Sequence, residues 1–205
     1  YSGGAVTPDM ETVKRYFPAA AATRGQPVQV VASGPDDEDA PLHAFFLAAL
    51  AGARSRAWIQ TPYLIPDEAL ESALRVAVLR GVDVQVIVPR EGDSRVVSAA
   101  SRTYCEALAR AGVRVFEYGP PMLHAKTMVI DDTVAVVGTA NMDNRSFRLN
   151  FEVAAAFYAQ DVVADLARRF EADRARAVDF RRRRREGSRL GALLESLARL
   201  SSPVL

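Results

Sequence analysis

The sequence has 205 residues, of which 49% are hydrophobic and 25% charged, which suffices for one α/β domain with a buried core. Its 26 basic and 25 acidic side chains leave a formal net charge of +1, so the overall charge does not require a nucleic-acid partner. A single cysteine, Cys105, excludes an internal disulfide and a multi-cysteine zinc site, and no apolar run is long enough to span a membrane. Because the chain opens at Tyr1 without a signal peptide, we expect it to be a piece of a longer protein.

Strands and helices are predicted to alternate through the first half of the chain. Residues 1–26 carry glycine and proline without a clear period and are predicted to be a linker or the tail of a preceding region. Strands are predicted over 28–33, 57–61, 82–88 and 113–118, and helices over 41–54, 67–80 and 94–111. Such alternation implies right-handed crossovers. We therefore expect an α/β fold with a mixed, largely parallel sheet flanked by helices on both faces.

The pattern changes after residue 120. Strands are predicted over 124–130, 134–138 and 151–158, followed by a helix from Asp161 to about Arg185 and an amphipathic helix over 188–200. Residues 161–190 hold ten arginines against six acids, a net charge of +4. Residues 27–205 are thus expected to form one domain that ends in a basic, amphipathic segment. That segment either meets anionic lipid headgroups or is a solvated helix end that packs on protein.

Five polar residues in this second half have the chemistry of a catalytic site. His124 and Lys126 lie two apart, so on a strand their side chains would share a face. Thr139 and the neighbouring Asn141 end the following strand and bring a hydroxyl and an amide to one place. Glu152 begins the next strand and is predicted to hydrogen-bond the imidazole and fix its tautomer. These residues suit a phosphodiester substrate: the imidazole attacks or protonates, and the lysine and asparagine bind phosphate oxygens without a metal.

The same residues carry a family resemblance. HAKTMVID and GTANMDNRS resemble the His-x-Lys-(x)4-Asp and Gly-Ser/Thr-x-Asn signature of the phospholipase D superfamily. The segments QTPYLIPDEALESAL, RGVDVQVIVPREGD and NRSFRLNFEV are similar to the C-terminal lobe of bacterial cardiolipin synthases, and the resemblance covers about residues 26–205. Thr139 stands where many relatives have Ser, which keeps the hydroxyl. Asp131 completes the motif, but its parity is opposite to that of His124, so it is predicted to face away and support the turn.

The resemblance implies phosphatidyl transfer between phospholipids through a phosphohistidine, with no cofactor and no metal. Relatives of this branch bring two His-Lys motifs to a shared site, and this chain has one. A missing N-terminal lobe or a homodimer partner is therefore implied, with His124 as general acid or base rather than nucleophile. Phosphatidylglycerol or a similar anionic phospholipid is the implied substrate. The implied location is the surface of the cytoplasmic membrane, with N-terminal membrane segments in the full-length protein.

Other interpretations stay open. The domain is alternatively a phospholipase D-type hydrolase, or a lobe that is inactive without its partner, whereas the net charge of −3 over residues 1–160 disfavours a nuclease. Tyr63 and Asp67 resemble the family's Tyr-Phe-x-Pro-Asp segment and are candidates for binding substrate. The alternative is that Tyr63 packs on the domain and Asp67 caps a helix. His43, Trp58 and Cys105 are predicted to be structural.

Overall fold

The fold is built on an eight-stranded sheet, accompanied by a two-stranded sheet. A computed structural model describes residues 25–181, so residues 1–24 of the predicted linker over 1–26 and the whole predicted helix over 188–200 lie outside the described residues. The elements are β1 (Val28–Ser33), α1 (Pro41–Gly52), β2 (Arg56–Gln60), β3 (Leu64–Ile65), α2 (Glu68–Leu79), β4 (Asp83–Pro89), α3 (Arg95–Arg110), β5 (Arg114–Tyr118), β6 (Thr127–Ile130), β7 (Val134–Gly138), β8 (Met142–Asp143), α4 (Asn144–Arg148), β9 (Glu152–Phe157), α5 (Gln160–Arg176) and β10 (Val178–Asp179).

The large sheet has the strand order β1-β9-β7-β6-β2-β4-β5-β10. Only the pairings of β4 with β2 and with β5 are parallel, and every other neighbouring pair is antiparallel. The predicted mixed sheet is confirmed, but the prediction that it is largely parallel is wrong. Helical crossovers enforce parallel pairing only where α2 and α3 connect strands. The later strands are joined by short connections, which allow antiparallel neighbours.

Helices cover both faces of the sheet, as predicted. On one face α1, α2 and α3 bury Leu50, Leu70 and Leu108 in the larger hydrophobic core. On the other face α5 packs its Phe170 ring on Trp58, with the ring centroids 5.0 Å apart. Burying a large apolar side chain stabilises a fold by about 1.5–3 kcal/mol, so both layers contribute. The predicted structural roles of Trp58 and Cys105 agree with their burial.

The chain leaves helix α5 earlier than predicted. The helix ends at Arg176 rather than near Arg185, because Ala177 turns extended and β10 then pairs with the edge of β5. Phe180 follows and is buried in the larger core, which a continuing helix would not permit. The short elements β3, β8 and α4 were not predicted, since two to five residues show no period. Within residues 25–181, no helix has both the length and the apolar character to cross a bilayer.

Candidate active site

The candidate site lies where strand β6 begins, beside the carboxyl end of β2. Thr127 pairs with Gln60 in the sheet, so β6 starts at Thr127 and not at His124 as predicted. Nζ of Lys126 nevertheless lies 3.3 Å from each ring nitrogen of His124, and donates to its carbonyl oxygen at 3.4 Å. The expected juxtaposition is therefore present, but the segment before the strand produces it rather than strand parity. His124 is exposed and Lys126 half-buried.

Two nearby carboxylates influence the pKa of Lys126. Burial lowers the pKa of Lys126, and the negative charges of Glu152 and Asp143 raise it in part, so that the pKa stays below its usual value. The ammonium thus sits in a partly desolvated position with acidic residues nearby, and its Nζ lies next to the exposed ring of His124. A cation in this position is suited to bind an anionic oxygen such as that of a phosphate.

Glu152 is held by two neighbours. The hydroxyl of Thr139 donates to its Oε2, and Nδ2 of Asn150 donates to its Oε1 at 3.1 Å. The predicted hydrogen bond between the His124 ring and Glu152 is not formed among the described residues, because the carboxylate oxygens accept from Thr139 and Asn150 instead. Within this chain Glu152 acts on the site through its charge on Lys126. Asn150 was missed from the sequence, since it precedes β9 in a segment without periodicity.

The glycine of the Gly-Thr-x-Asn segment is required by close packing. A Cβ on Gly138 would lie 2.8 Å from the carbonyl oxygen of Val153 and 2.9 Å from Cβ of Ala154, so β7 and β9 can approach only if no side chain is present. The amide of Val153 donates to Oγ1 of Thr139 at 3.0 Å, which fixes the hydroxyl that holds Glu152. The segment therefore positions Thr139.

Asp143 is a site residue that the sequence analysis did not identify. It is only 5% exposed and caps α4 by accepting from the amide of Ser146 at 2.7 Å. Burial raises the pKa of Asp143 despite hydrogen bonds from Ser146 and from the side chain of Asn141, and the charge of Glu152 raises it further. Oδ1 of Asn141 is buried without a hydrogen-bond partner among residues 25–181. The spacing Asp-x-x-Ser signals a helix cap, but not its place beside Lys126.

Asp131 lies at the other end of the β6–β7 hairpin and supports the turn, as predicted. Its carboxylate accepts from the amides of Arg54 at 2.9 Å, Ser55 at 2.8 Å and Arg56 at 2.9 Å. Burial would raise the pKa of Asp131, but the backbone hydrogen bonds outweigh it and hold the pKa below its usual value. Asp131 has a φ of 50°, a left-handed conformation that aspartate tolerates better than most residues.

The remaining predicted residues lie around the site. The hydroxyl of Tyr63 donates to Oδ1 of Asp93 at 2.5 Å, and burial together with Asp93 raises the pKa of Tyr63 to about 12. Asp67 caps α2 by accepting from the amide of Leu70 at 3.0 Å. Asp67 also lines an open cleft of about 860 Å³ together with Arg148, so its helix-capping role and a place in a cleft coexist.

His43 is buried against Asp67 and Phe147. Its Nε2 lies 2.9 Å from Oδ2 of Asp67, and its ring meets that of Phe147 edge-on with the centroids 5.3 Å apart. These contacts agree with the predicted structural role. Among the described residues, no three His, Cys, Asp or Glu side chains group together as ligands for a metal ion.

Comparison with known proteins identifies the family. Residues 46–174 match the family described as "Cardiolipin synthase, PLD-like domain". The chain belongs to this family. Cardiolipin synthase A of Pseudomonas aeruginosa is 46% identical over 184 residues, which make up 89% of this chain and 38% of that protein. Cardiolipin synthase A of Pseudomonas putida is 45% identical over 193 residues, or 92% of this chain and 40% of that protein. This cardiolipin synthase-type domain thus spans about two fifths of the length of these relatives.

Solved structures share its fold. The phospholipase D family member Nuc from Salmonella typhimurium has a TM-score of 0.64 at 20% identity, covering 76% of this chain and 98% of that chain. Phosphatidylserine synthase from Haemophilus influenzae has a TM-score of 0.65 at 15% identity, covering 89% of this chain and 47% of that chain. At such identities the likeness concerns the fold, and it confirms the predicted phospholipase D-like lobe.

Proposed function

We propose that this domain contributes His124 and Lys126 to a phosphatidyltransferase site that makes cardiolipin from phosphatidylglycerol. The observation that carries the proposal is the 46% identity to a cardiolipin synthase over 89% of the chain. The exposed imidazole beside a half-buried ammonium supports it, because an imidazole can carry the transferred proton and an ammonium can stabilise the negative charge on the phosphate oxygens.

The reaction we propose has two displacements, served by two imidazoles. One imidazole attacks phosphorus and forms a P–N bond while the P–O bond to glycerol breaks, and the other imidazole protonates the departing alkoxide. A hydroxyl of a second phospholipid then gives its proton to that second imidazole. Its oxygen bonds to phosphorus as the P–N bond breaks, which releases cardiolipin and restores both imidazoles. We assign the acid–base role to His124.

The surroundings of Lys126 support its role as the phosphate-binding cation. The charges of Glu152 and Asp143 oppose the effect of burial on its pKa and so favour the ammonium form. Lysine presents a compact point charge, whereas the planar fork of arginine needs more room and a different geometry. Thr139 and Asn150 hold Glu152 in place and thereby preserve this electrostatic support.

The proposed site needs a second His-Lys motif, because this chain carries one. A preceding lobe or a second copy of the chain would supply it. We further propose that the assembly acts at the surface of the cytoplasmic membrane, where anionic phospholipid is available, and that the described domain attaches peripherally.

The proposal is tested by incubating the complete gene product with phosphatidylglycerol in detergent micelles and measuring cardiolipin, glycerol and phosphatidic acid. Cardiolipin and glycerol in equal amounts would support phosphatidyl transfer, and phosphatidic acid without cardiolipin would indicate a hydrolase. The variant His124→Asn should lose the activity. Glu171→Gln, an exposed change on α5 outside the site, is the control. Its thermal stability is measured in parallel.

A further inference from the structure

A small pocket lies beside the candidate site. The loops that follow β4 and β5 form its walls, and its volume is about 330 Å³. Its lining residues are Arg90, Glu91, Gly92, Asp93, Tyr118, Gly119, Pro120 and Met122. Sites for small molecules run from about 300 to 1,000 Å³, so this pocket has the size for a lipid headgroup and not for a whole lipid.

The pocket and His124 share one edge of the sheet. Ligands of α/β sheets bind at the carboxyl ends of parallel strands, and the pocket occupies the carboxyl ends of β4 and β5. Strand β6 begins at the same edge, two strands away from β4, which at a strand spacing of about 4.8 Å is a separation of about 10 Å. Met122 in the pocket wall precedes His124 by two residues.

One hydrogen bond ties the pocket to the site. Asp93 in the pocket wall accepts from the hydroxyl of Tyr63 at 2.5 Å. Tyr63 directly precedes β3, whose Leu64 pairs with Met142, so Tyr63 lies beside Asn141. The pocket wall is thereby fixed relative to the Gly-Thr-x-Asn segment.

The pocket offers two charged groups that no other described residue engages. The guanidinium of Arg90 and the carboxylate of Glu91 are exposed and make no hydrogen bond or ion pair within residues 25–181. Guanidinium binds phosphodiester oxygens through paired N–H donors, and a carboxylate accepts hydrogen bonds from hydroxyl groups. Pro120 and Met122 add an apolar wall. A ligand that matches these groups carries a phosphate, neighbouring hydroxyls and a short apolar segment. A phosphoglycerol headgroup has these features.

We propose that this pocket binds the phosphoglycerol headgroup of the acceptor phospholipid, with Arg90 on its phosphate and Glu91 on its glycerol hydroxyls. This inference rests on the proposed phosphatidyl transfer, and it adds the site at which the acceptor phospholipid binds. With its phosphate held at Arg90, the glycerol unit would extend along this edge of the sheet, and its terminal hydroxyl would point toward the side of the edge where His124 lies.

The test compares two products of one reaction. The complete gene product, its Arg90→Gln and Arg90→Lys variants and the matched control Arg110→Gln are incubated with phosphatidylglycerol micelles, and cardiolipin and phosphatidic acid are quantified. Phosphatidic acid forms when water replaces the acceptor phospholipid, and water does not need a phosphate contact at Arg90. Arg90→Gln should therefore lower the ratio of cardiolipin to phosphatidic acid about tenfold, a change of about 1.4 kcal/mol in relative barrier. Arg90→Lys should restore part of the ratio, and Arg110→Gln should leave it unaltered.

A second arm separates phosphate from hydroxyl recognition. Exchange of radiolabelled glycerol into phosphatidylglycerol uses an acceptor that has hydroxyls but no phosphate. Glu91→Gln should lower this exchange more than Arg90→Gln does. An unchanged product ratio in Arg90→Gln, or an equal loss of both products, would overturn the proposal. If the unmodified protein makes phosphatidic acid and no cardiolipin, the proposed function itself fails, and that outcome is visible before any variant is compared.

Discussion

The two ends of the β6–β7 hairpin carry acidic residues in opposite situations. At the turn, the carboxylate of Asp131 accepts hydrogen bonds from three backbone amides, and these bonds lower its pKa. At the open end, Asp143 and Glu152 lie near Lys126, and burial raises the pKa of Asp143. A carboxylate satisfied by backbone amides has little capacity left for a substrate. The carboxylates near Lys126 instead act on the charge of a half-buried lysine that lies beside the exposed ring of His124. The motif thus joins a structural anchor at the turn to the candidate site at the open end.

The largest effect is expected from replacing the histidine or the lysine of the open end. His124→Asn should reduce turnover by about 10²- to 10⁴-fold, the usual contribution of a positioned acid or base. Lys126→Arg keeps the charge but not the compact shape of the side chain, and should reduce turnover by about 10²-fold or more. Initial rates of cardiolipin formation measure both. Near-normal turnover of Lys126→Arg would show that any cation serves there.

A smaller loss of turnover, about 10- to 100-fold, is expected from Glu152→Gln. The reason is that the carboxylate acts on the charge of Lys126 but does not contact the ring of His124. The charge of Glu152 raises the pKa of Lys126, so its removal should lower that pKa further. The alkaline limb of the pH–rate profile should then move to lower pH, while the thermal stability stays close to normal. Glu171→Gln, an exposed change on α5, is the control. A large loss of stability with an unmoved pH profile would assign Glu152 a structural role.

At the turn end, Asp131→Asn should lower the free energy of unfolding by about 2 kcal/mol, because hydrogen bonds to a charged group are weakened. The folded-state pKa of Asp131 lies below its usual value, so the stabilisation is present above about pH 4 and is lost as the pH falls through the lowered pKa. Thermal unfolding at pH 7 and at pH 3 measures this. Equal differences between variant and parent at both pH values would contradict the account.

The smallest effect is expected at Thr139. Thr139→Ser keeps the hydroxyl that donates to Glu152, so we expect turnover within about twofold of the parent. Thr139→Val removes that donor and should lower turnover about tenfold, which is in the range expected when a contact that supports an active-site residue is lost. Comparing the two variants isolates the hydroxyl from the shape of the side chain. Equal rates would show that the hydroxyl does not support Glu152.

The sequence was most informative where residue patterns act locally. The helical crossovers, the hairpin and the structural role of Asp131 follow from periodicity and parity, which depend on neighbouring residues. The partners of each strand depend on contacts far apart in the chain, and for that reason the predominance of antiparallel pairing was not predicted. Similarly, the helix α5 was predicted too long because burial of Phe180 is a tertiary effect.

The candidate site divides in the same way. His124, Lys126, Thr139 and Glu152 were expected together, and the structure places them at one edge of the sheet. The position of Asp143 beside Lys126 could not be predicted, since β8 and α4 are too short to show a pattern. Glu152 was expected at the imidazole because carboxylates commonly orient histidines. Thr139 and Asn150 hold it instead, and only the folded geometry shows those donors.

The central claim is that one chain supplies one of two required motifs. The direct test measures phosphatidylglycerol turnover by residues 1–205 against chain concentration, with sedimentation run on the same samples. The account predicts no turnover by the monomer, and activity only if a dimer forms and in proportion to that dimer. Turnover that is strictly proportional to monomer concentration, with no dimer detected, would show that one His-Lys motif suffices and would contradict the proposed mechanism.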